Sequence, residues 1–362
     1  MSSTLFLEAA SAPTSQTSEE LIRNLLQGKH TNTARTTMPP RALPLLALSL
    51  SVTGLVVDAA RAAAAVPTVT LGQDVHGVDV LMPVVGAGSW LYNDSVAYDS
   101  YCKAFAAGYT FVDTAWGYGN ERGVGAAIRD CWEGARDELF VMTKIPGGLN
   151  ASATAAAHAD NLAWLGLDYV DHLMTHFPAD WAATPARSSP AARQEEWLAL
   201  EDVYKRGEAR SIGISHYCAS HIDDVLAVAT VPPSVNQVEY HVGSGDVDEV
   251  IAKCAASGIY FMSFSPLCGP CDTTPEDSLI SGQLVTAIGA KYNVSGSQVA
   301  LRWIVQQALE KPFMAGVIPK SDNPEHIAAN ADLFSFELSA DDMATLSAAT
   351  MPAAEPGDCD VP

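Results

Sequence analysis

From Pro67 onward the chain alternates short apolar runs with stretches whose apolar residues recur every three or four positions. The runs Val84–Gly86, Phe111–Asp113, Phe140–Thr143, Tyr169–Thr175, Ser211–Ile214, Ser234–Val238, Tyr260–Phe264 and Gly316–Ile318 predict strands. Between them, Val96–Ala107, Ala155–Leu165, Gln194–Tyr204, His221–Ala229, Val247–Ala256 and Pro324–Ala331 predict amphipathic helices. The pairs Gly108-Tyr109, Gly166-Leu167 and Gly258-Ile259 read as helix ends feeding the next strand. Eight strands with intervening helices over about 280 residues predict a (β/α)8 TIM barrel. A doubly wound sheet shares this alternation, but no G-x-G-x-x-G follows the first strand. Ahead of the barrel, Val69–Met82 alternates around Gly72 and Gly77, which predicts a hairpin closing the barrel floor.

Residues 1–66 read differently. Residues 1–37 are rich in Ser and Thr, Arg41 precedes an apolar stretch from Leu43 to Val57, and Ala59–Ala65 is Ala-rich. A charged start, an apolar run short for a membrane span and small residues suited to cleavage describe a targeting segment. Either Met38 begins a signal peptide or the whole leader addresses an organelle; a buried segment or uncleaved anchor is the alternative. The expected destination is an organelle or the secretory pathway, or the cytoplasm if the leader is not used. Charge supports a boundary here, because the leader holds five basic and four acidic residues against 15 and 38 in residues 67–362.

The formal net charge of -22 repels phosphate backbones and anionic bilayers, so no nucleic acid and no stable membrane partner is expected. A coenzyme phosphate needs a local cationic site within that acidity. The seven cysteines are scattered and odd in number, which argues against a disulfide scaffold. Cys268 and Cys271 have C-x-x-C spacing, but without a second pair and within a Pro/Gly-rich stretch they read as plain loop.

Catalytic side chains of such a barrel come from the C-terminal ends of its strands. The second strand ends at Asp113 and runs on to Tyr118, the third ends at Lys144, and the fourth at His176. Taken singly, each has a structural reading: a rim ion pair or cap, a packed aromatic, a solvated lysine, a satisfied core histidine. Together they meet the needs of carbonyl reduction. Hydride arrival at carbon puts negative charge on oxygen, so a proton donor must stand within hydrogen-bond reach. A free phenol has a pKa of about 10. An ammonium beside it favours phenolate, a carboxylate keeps that ammonium charged, and a neutral imidazole orients the carbonyl.

These segments resemble the aldo-keto reductase superfamily. Gly108-Tyr109 with Phe111–Ala115, Tyr118, Glu121 and Gly125 is similar to its first signature. Leu173–Pro178 resembles its Leu-Leu-His-Trp-Pro element, and Ser211–Tyr217 its Gly-Val-Ser-Asn-Phe element. Asn236–His241, Ser263–Leu267 and Ile318–Ser321 match three further segments, so the likeness runs from about Pro67 to Leu346. The resemblance implies a catalytic tetrad of Asp113, Tyr118, Lys144 and His176, with Tyr118 as general acid. It implies an NADPH site in which Ser215 and Gln237 hold the nicotinamide carboxamide and Phe264 stacks on the ring. Ser89, Trp90, Asp113, Ser265 and Leu267 complete those contacts, while Lys320 and Ser321, with His326 and Asn330, hold the adenosine phosphate. Four positions depart from the family pattern, the first being Phe264 where the family usually has Tyr. His216 stands for Asn, His326 for the Arg many members carry, and Ala329 for Glu. A partly protonated His in place of a bidentate Arg weakens discrimination against NADH, so NADH is possible.

Trp90, Trp116, His176 and Phe177 are expected around a small-molecule carbonyl substrate. The loop Ala179–Arg193 contains Trp181, and the tail Met351–Pro362 is short and polar, which predicts an open site. The resemblance implies a monomer. Two other classes compete: a non-catalytic coenzyme-binding regulatory subunit of the same fold, and a metal-dependent barrel hydrolase. His172 and His176 have i,i+4 spacing, but on a strand this creates no ligand face, so no metal is expected.

Overall fold

Alternation around two glycines produces the hairpin: β1 (Thr68–Gln73) pairs antiparallel with β2 (Asp79–Pro83). Asp74 shapes the turn, its Oδ1 accepting from the backbone N–H of His76 at 2.9 Å and of Val78 at 3.0 Å. A computed structural model describes residues 66–180, 184, 186–245, 249–269, 274–353 and 359. The targeting reading of residues 1–66, Val66 excepted, and the readings of Trp181 and Cys271 lie outside the described residues.

Eight parallel strands follow: β3 (Ala87–Gly88), β4 (Phe111–Asp113), β5 (Phe140–Ile145), β6 (His172–Thr175), β7 (Ile212–Ser215), β8 (Val235–Glu239), β9 (Tyr260–Phe264) and β10 (Met314–Val317). Each pairs with the next in order, and the first and last meet at a parallel bridge between Val85 and Val317. Gly86 N–H donates to the Val317 carbonyl at 2.9 Å, and Gly88 N–H to that of Pro319 at 3.1 Å. With a helix after most strands, this is a (β/α)8 barrel. Glycine is required at the seam, where Gly316 holds φ 115° and a Cβ would overlap the Val84 backbone. The first strand was expected at Val84–Gly86, and only Val85 makes its bridge there; the ladder forms at Ala87–Gly88.

The barrel is filled by Phe111, Phe140, Met142, Met174, Val235, Met262 and Ala315, with Val80 and Met82 of β2 among them. Each large side chain so buried contributes roughly 1.5–3 kcal/mol, and the hairpin closes the floor as its pattern predicts. A second core lies between barrel and helices. The helix Asp94–Ala106 starts at Asn93, whose side chain accepts from Val96 N–H, and buries Ala97, Tyr101, Ala104 and Phe105 on one face. Asn150 caps the helix Ala151–Leu165 in the same way, and Gly166 ends it in the left-handed region. Pro324–Ala331 forms at its predicted bounds. The helices Glu121–Cys131, Gln283–Tyr292 and Gly296–Glu310 have no counterpart among the predicted ones.

The cysteine reading is corrected. Cys102 on the helix Asp94–Ala106 is bonded to Cys131 at the end of Glu121–Cys131, Cys218 is bonded to Cys359, and Cys268 is also disulfide-bonded. Packing, not spacing, brings the first pair together: these two helices lie side by side and place the Cα atoms 5.2 Å apart. The reading of the Cys268 segment as plain loop is corrected by that bond. Cys254 is buried, and its Sγ accepts from Asn236 Nδ2 at 3.6 Å.

Candidate active site

Parallel pairing puts the C-terminal ends of β4, β5, β6, β7, β8 and β9 on one rim, in that order. Asp113 ends β4, and the N–H of the following Thr114 donates to the Met142 carbonyl of β5 at 3.0 Å. Lys144 sits one residue before the end of β5, and its side chain is fully buried. Its Nζ donates to Asp113 Oδ1 at 2.7 Å, Oδ2 at 2.9 Å and the Thr114 carbonyl at 3.0 Å. All three ammonium protons are therefore used. Asp113 also accepts from Gln237 Nε2 of β8 at 2.9 Å, so a residue expected at the coenzyme is joined to the tetrad.

Tyr118 lies on a single 3-10 turn, Trp116–Tyr118, ended by Gly119 at φ 65°. Its ring meets His176 edge-on with centroids 5.5 Å apart, and Lys144 Nζ lies 5.2 Å from its centroid. The four tetrad residues are thus brought together. The phenol differs from expectation. Burial, with the Asp113 charge adding to it, pushes its pKa well above the usual phenol value. The ammonium does not reverse this because its protons are spent on Asp113 and Thr114. Burial also lowers Lys144. The His176 imidazole is held well below 6.5 by burial, then by the charge of Lys144 and by His216, so it is neutral near neutral pH.

A continuous column of rings extends from the tetrad. His176 stacks on Phe177 at 4.6 Å, Phe177 lies 4.4 Å from His216, and His216 4.7 Å from Phe264. His216 has φ 62°, a left-handed conformation in which Asn, Asp and His are the tolerated side chains; this explains a His where Asn is usual. Its Nδ1 lies 3.0 Å from the His176 carbonyl and 3.0 Å from Ser215 Oγ, whose own proton goes to the Gln237 carbonyl at 2.8 Å. A carbonyl only accepts, so Nδ1 carries the proton and Nε2 is left as acceptor. Burial lowers this imidazole to about 4, keeping that form at neutral pH.

Other expected residues take different places. Ser89 is buried, its hydroxyl donating to the Asp113 carbonyl at 3.1 Å, so it braces the tetrad. Trp90 is 45% exposed, and its carbonyl accepts from Lys320 Nζ at 2.8 Å. Trp116 was expected at the substrate. Its ring packs on Trp164 at 5.7 Å and its Nε1 donates to Asp160 at 3.3 Å, tying it to the helix layer. Ser265, at φ 47°, and Leu267 follow β9. Lys320 and Ser321 precede the helix Pro324–Ala331, on which His326 is exposed and Asn330 buried. The acidic Asp322 and Glu325 flank them.

Three supporting residues escaped the sequence reading. Tyr101 donates to the Asp113 carbonyl at 2.6 Å, and its only advance signal is its place on the buried helix face. Asn120 accepts from Thr114 Oγ1 at 3.0 Å and donates to the Ser89 carbonyl at 2.8 Å. Glu121, raised by burial to about 7, accepts from Thr143 Oγ1 at 2.6 Å. Its position was noticed only as part of a signature.

Residues 84–350 match the model of the Aldo/keto reductase family. The chain belongs to the aldo/keto reductase family. It is 38% identical to an aldo-keto reductase of Mycolicibacterium vanbaalenii over 78% of this chain and 92% of that one. A glyoxal reductase of Bacillus subtilis is 35% identical, over 75% and 90% respectively. Among solved structures, an aldo-keto reductase from a Medee basin deep-sea metagenome library superposes with TM-score 0.69 at 29% identity, covering 82% of this chain and 99% of that one. An oxidoreductase acting on small carbonyl compounds with a nicotinamide coenzyme follows from this membership, as does the barrel.

Proposed function

We propose that this aldo/keto reductase reduces aldehydes or ketones to alcohols with NADPH, using Tyr118 as general acid. The observation that carries the reading is the buried Asp113–Lys144 pair standing beside the phenol and imidazole of Tyr118 and His176. The strand-end residues fit a nicotinamide. The acceptor Nε2 of His216 suits the N–H of a carboxamide, Ser215 and Gln237 stand at the adjoining strand ends, and Phe264 offers a ring face. Lys320 and Ser321, at a helix N-terminus, suit the adenosine phosphate. Bound there, the reduced coenzyme supplies hydride to the carbonyl carbon.

The chain's own residues do the rest. His176, neutral, donates a hydrogen bond that orients the carbonyl oxygen. Tyr118 passes its phenolic proton to that oxygen as charge develops. Lys144 stabilises the phenolate left behind, and Asp113 holds Lys144 charged. Phe177, stacked on His176, forms an apolar wall beside the substrate. The test is to follow NADPH oxidation by the protein against a panel of aldehydes and ketones. Turnover of several is expected; coenzyme binding without turnover of any would instead favour a regulatory subunit.

Coenzyme choice follows from the phosphate end. Asp322 and Glu325 beside Lys320 and an exposed His326 offset the attraction for a ribose phosphate. Affinities for NADPH and NADH are expected to lie within about tenfold, and His326→Arg to raise the NADPH preference by about tenfold. Titration of both coenzymes by fluorescence checks this; discrimination of several orders of magnitude in the parent protein would refute it.

The disulfides Cys102–Cys131 and Cys218–Cys359, with the apolar leader residues 38–65, support work in an oxidising compartment reached through the secretory pathway or an organelle.

A further inference from the structure

The loop after β7 is covalently bonded to the end of the chain. Cys218 and Cys359 form their disulfide across a separation of 141 residues. Cys218 is buried at the start of the helix Ala219–Leu226, two residues beyond His216. Between them, Tyr217 is buried, and its carbonyl accepts from Asn236 of β8 at 2.9 Å. The end of the chain is seated a second time on the loop after β8. There Pro352 is buried, and the Met351 backbone comes so close to Gly243 that an added Cβ would lie 2.5 Å from it. The loops that continue from Ser215 and from Gln237 are therefore both tied to the C-terminal segment. A left-handed backbone at a non-glycine residue, as at His216, persists only where its surroundings over-determine it. The Cys218 bond is one such constraint, placed beside the ring column.

We propose that the Cys218–Cys359 disulfide is a thiol-exchange site that locks the β7 loop in its coenzyme-binding conformation, so that a dithiol reductant weakens coenzyme binding. The proposal rests on the coenzyme site described above. A thiolate of the dithiol attacks Sγ of the less buried Cys359 and displaces Cys218 as thiolate. The second thiol then closes on the mixed disulfide. Two electrons and two protons pass to the cysteines, and the dithiol becomes a disulfide. Freed, the loop samples other conformations, and apparent affinity falls in proportion to the competent fraction.

The test uses the full chain, with NADPH affinity read from tryptophan fluorescence and KM from aldehyde turnover, before and after dithiothreitol. Mass mapping follows each disulfide. An about tenfold rise in NADPH Kd is expected, as when the competent fraction falls to about one tenth, with recovery on reoxidation. Cys359→Ser should show the raised Kd without reductant and no further response, while the paired Cys102→Ser and Cys131→Ser variant keeps the full response. An unchanged Kd once Cys218 and Cys359 are mapped as reduced overturns the proposal, as does wild-type affinity in Cys359→Ser. If Kd shifts while no carbonyl is turned over, the catalytic reading fails and the lock stands.

Discussion

Tyr118→Phe is expected to cut carbonyl turnover by about 10²–10⁴ while leaving coenzyme affinity unchanged. Phenylalanine keeps the edge-on packing on His176 at 5.5 Å and removes only the hydroxyl. The Asp113–Lys144 pair is untouched, because no proton of Lys144 Nζ is committed to the phenol. Burial pushes the phenol upward, so the hydroxyl is fully protonated at neutral pH and is available as a donor. A raised pKa makes a weaker acid, yet the acceptor is an alkoxide of basicity close to hydroxide, whose conjugate acid water has a pKa of about 15.7. Stopped-flow loss of NADPH absorbance with an aldehyde in excess reads the effect directly. A variant turning over at the parent rate would remove Tyr118 from the mechanism.

The tetrad was legible in the chain because a parallel barrel converts strand ends into neighbours. Asp113, Lys144 and His176 each close an apolar run, and the pairing of β4, β5 and β6 sets them side by side. Alternation likewise revealed the floor, since Val80 and Met82 point inward from one face of β2. The helices between β9 and β10 were missed. Gly296–Glu310 does carry a polar stripe, Gln298, Arg302 and Gln306 at i,i+4 spacing, but the structure buries it too, each side chain donating to a backbone carbonyl of Asp332, Leu333 or Leu338.

What sequence could not show depends on distance. Cys102 and Cys131 are separated by 29 residues and become partners only once two helices pack. Cys218 and Cys359 require the whole barrel to close. The tail expected to leave an open site is instead bonded to the loop carrying His216. The direction of the Tyr118 shift is another case. An ammonium next to a phenol lowers its pKa in isolation, but here the phenol is buried and the ammonium is spoken for, so desolvation wins. Trp116 turned outward because Trp164 and Asp160, on a helix four turns long, offered it a ring and an acceptor.

Lys144→Met is expected to destabilise the fold by about 3–5 kcal/mol and to abolish turnover. Neither member of the pair is more than 1% exposed, so the substitution strands a carboxylate without its cation. Gln237 Nε2 remains as a donor at 2.9 Å, but one neutral amide does not replace an ammonium giving two hydrogen bonds to Asp113. Adding Asp113→Asn removes the stranded charge, so the double variant should recover most of the lost stability while remaining inactive. Urea midpoints for the two single variants and the double, set beside their turnover, separate the two roles. The substitution also removes a charge that holds His176 down; its pKa should rise, with burial still keeping it below 6.5. A loss under about 1 kcal/mol in Lys144→Met, the size seen for exposed pairs, would mean that water reaches Asp113. The sheltered pair on which the proton relay depends would then not exist.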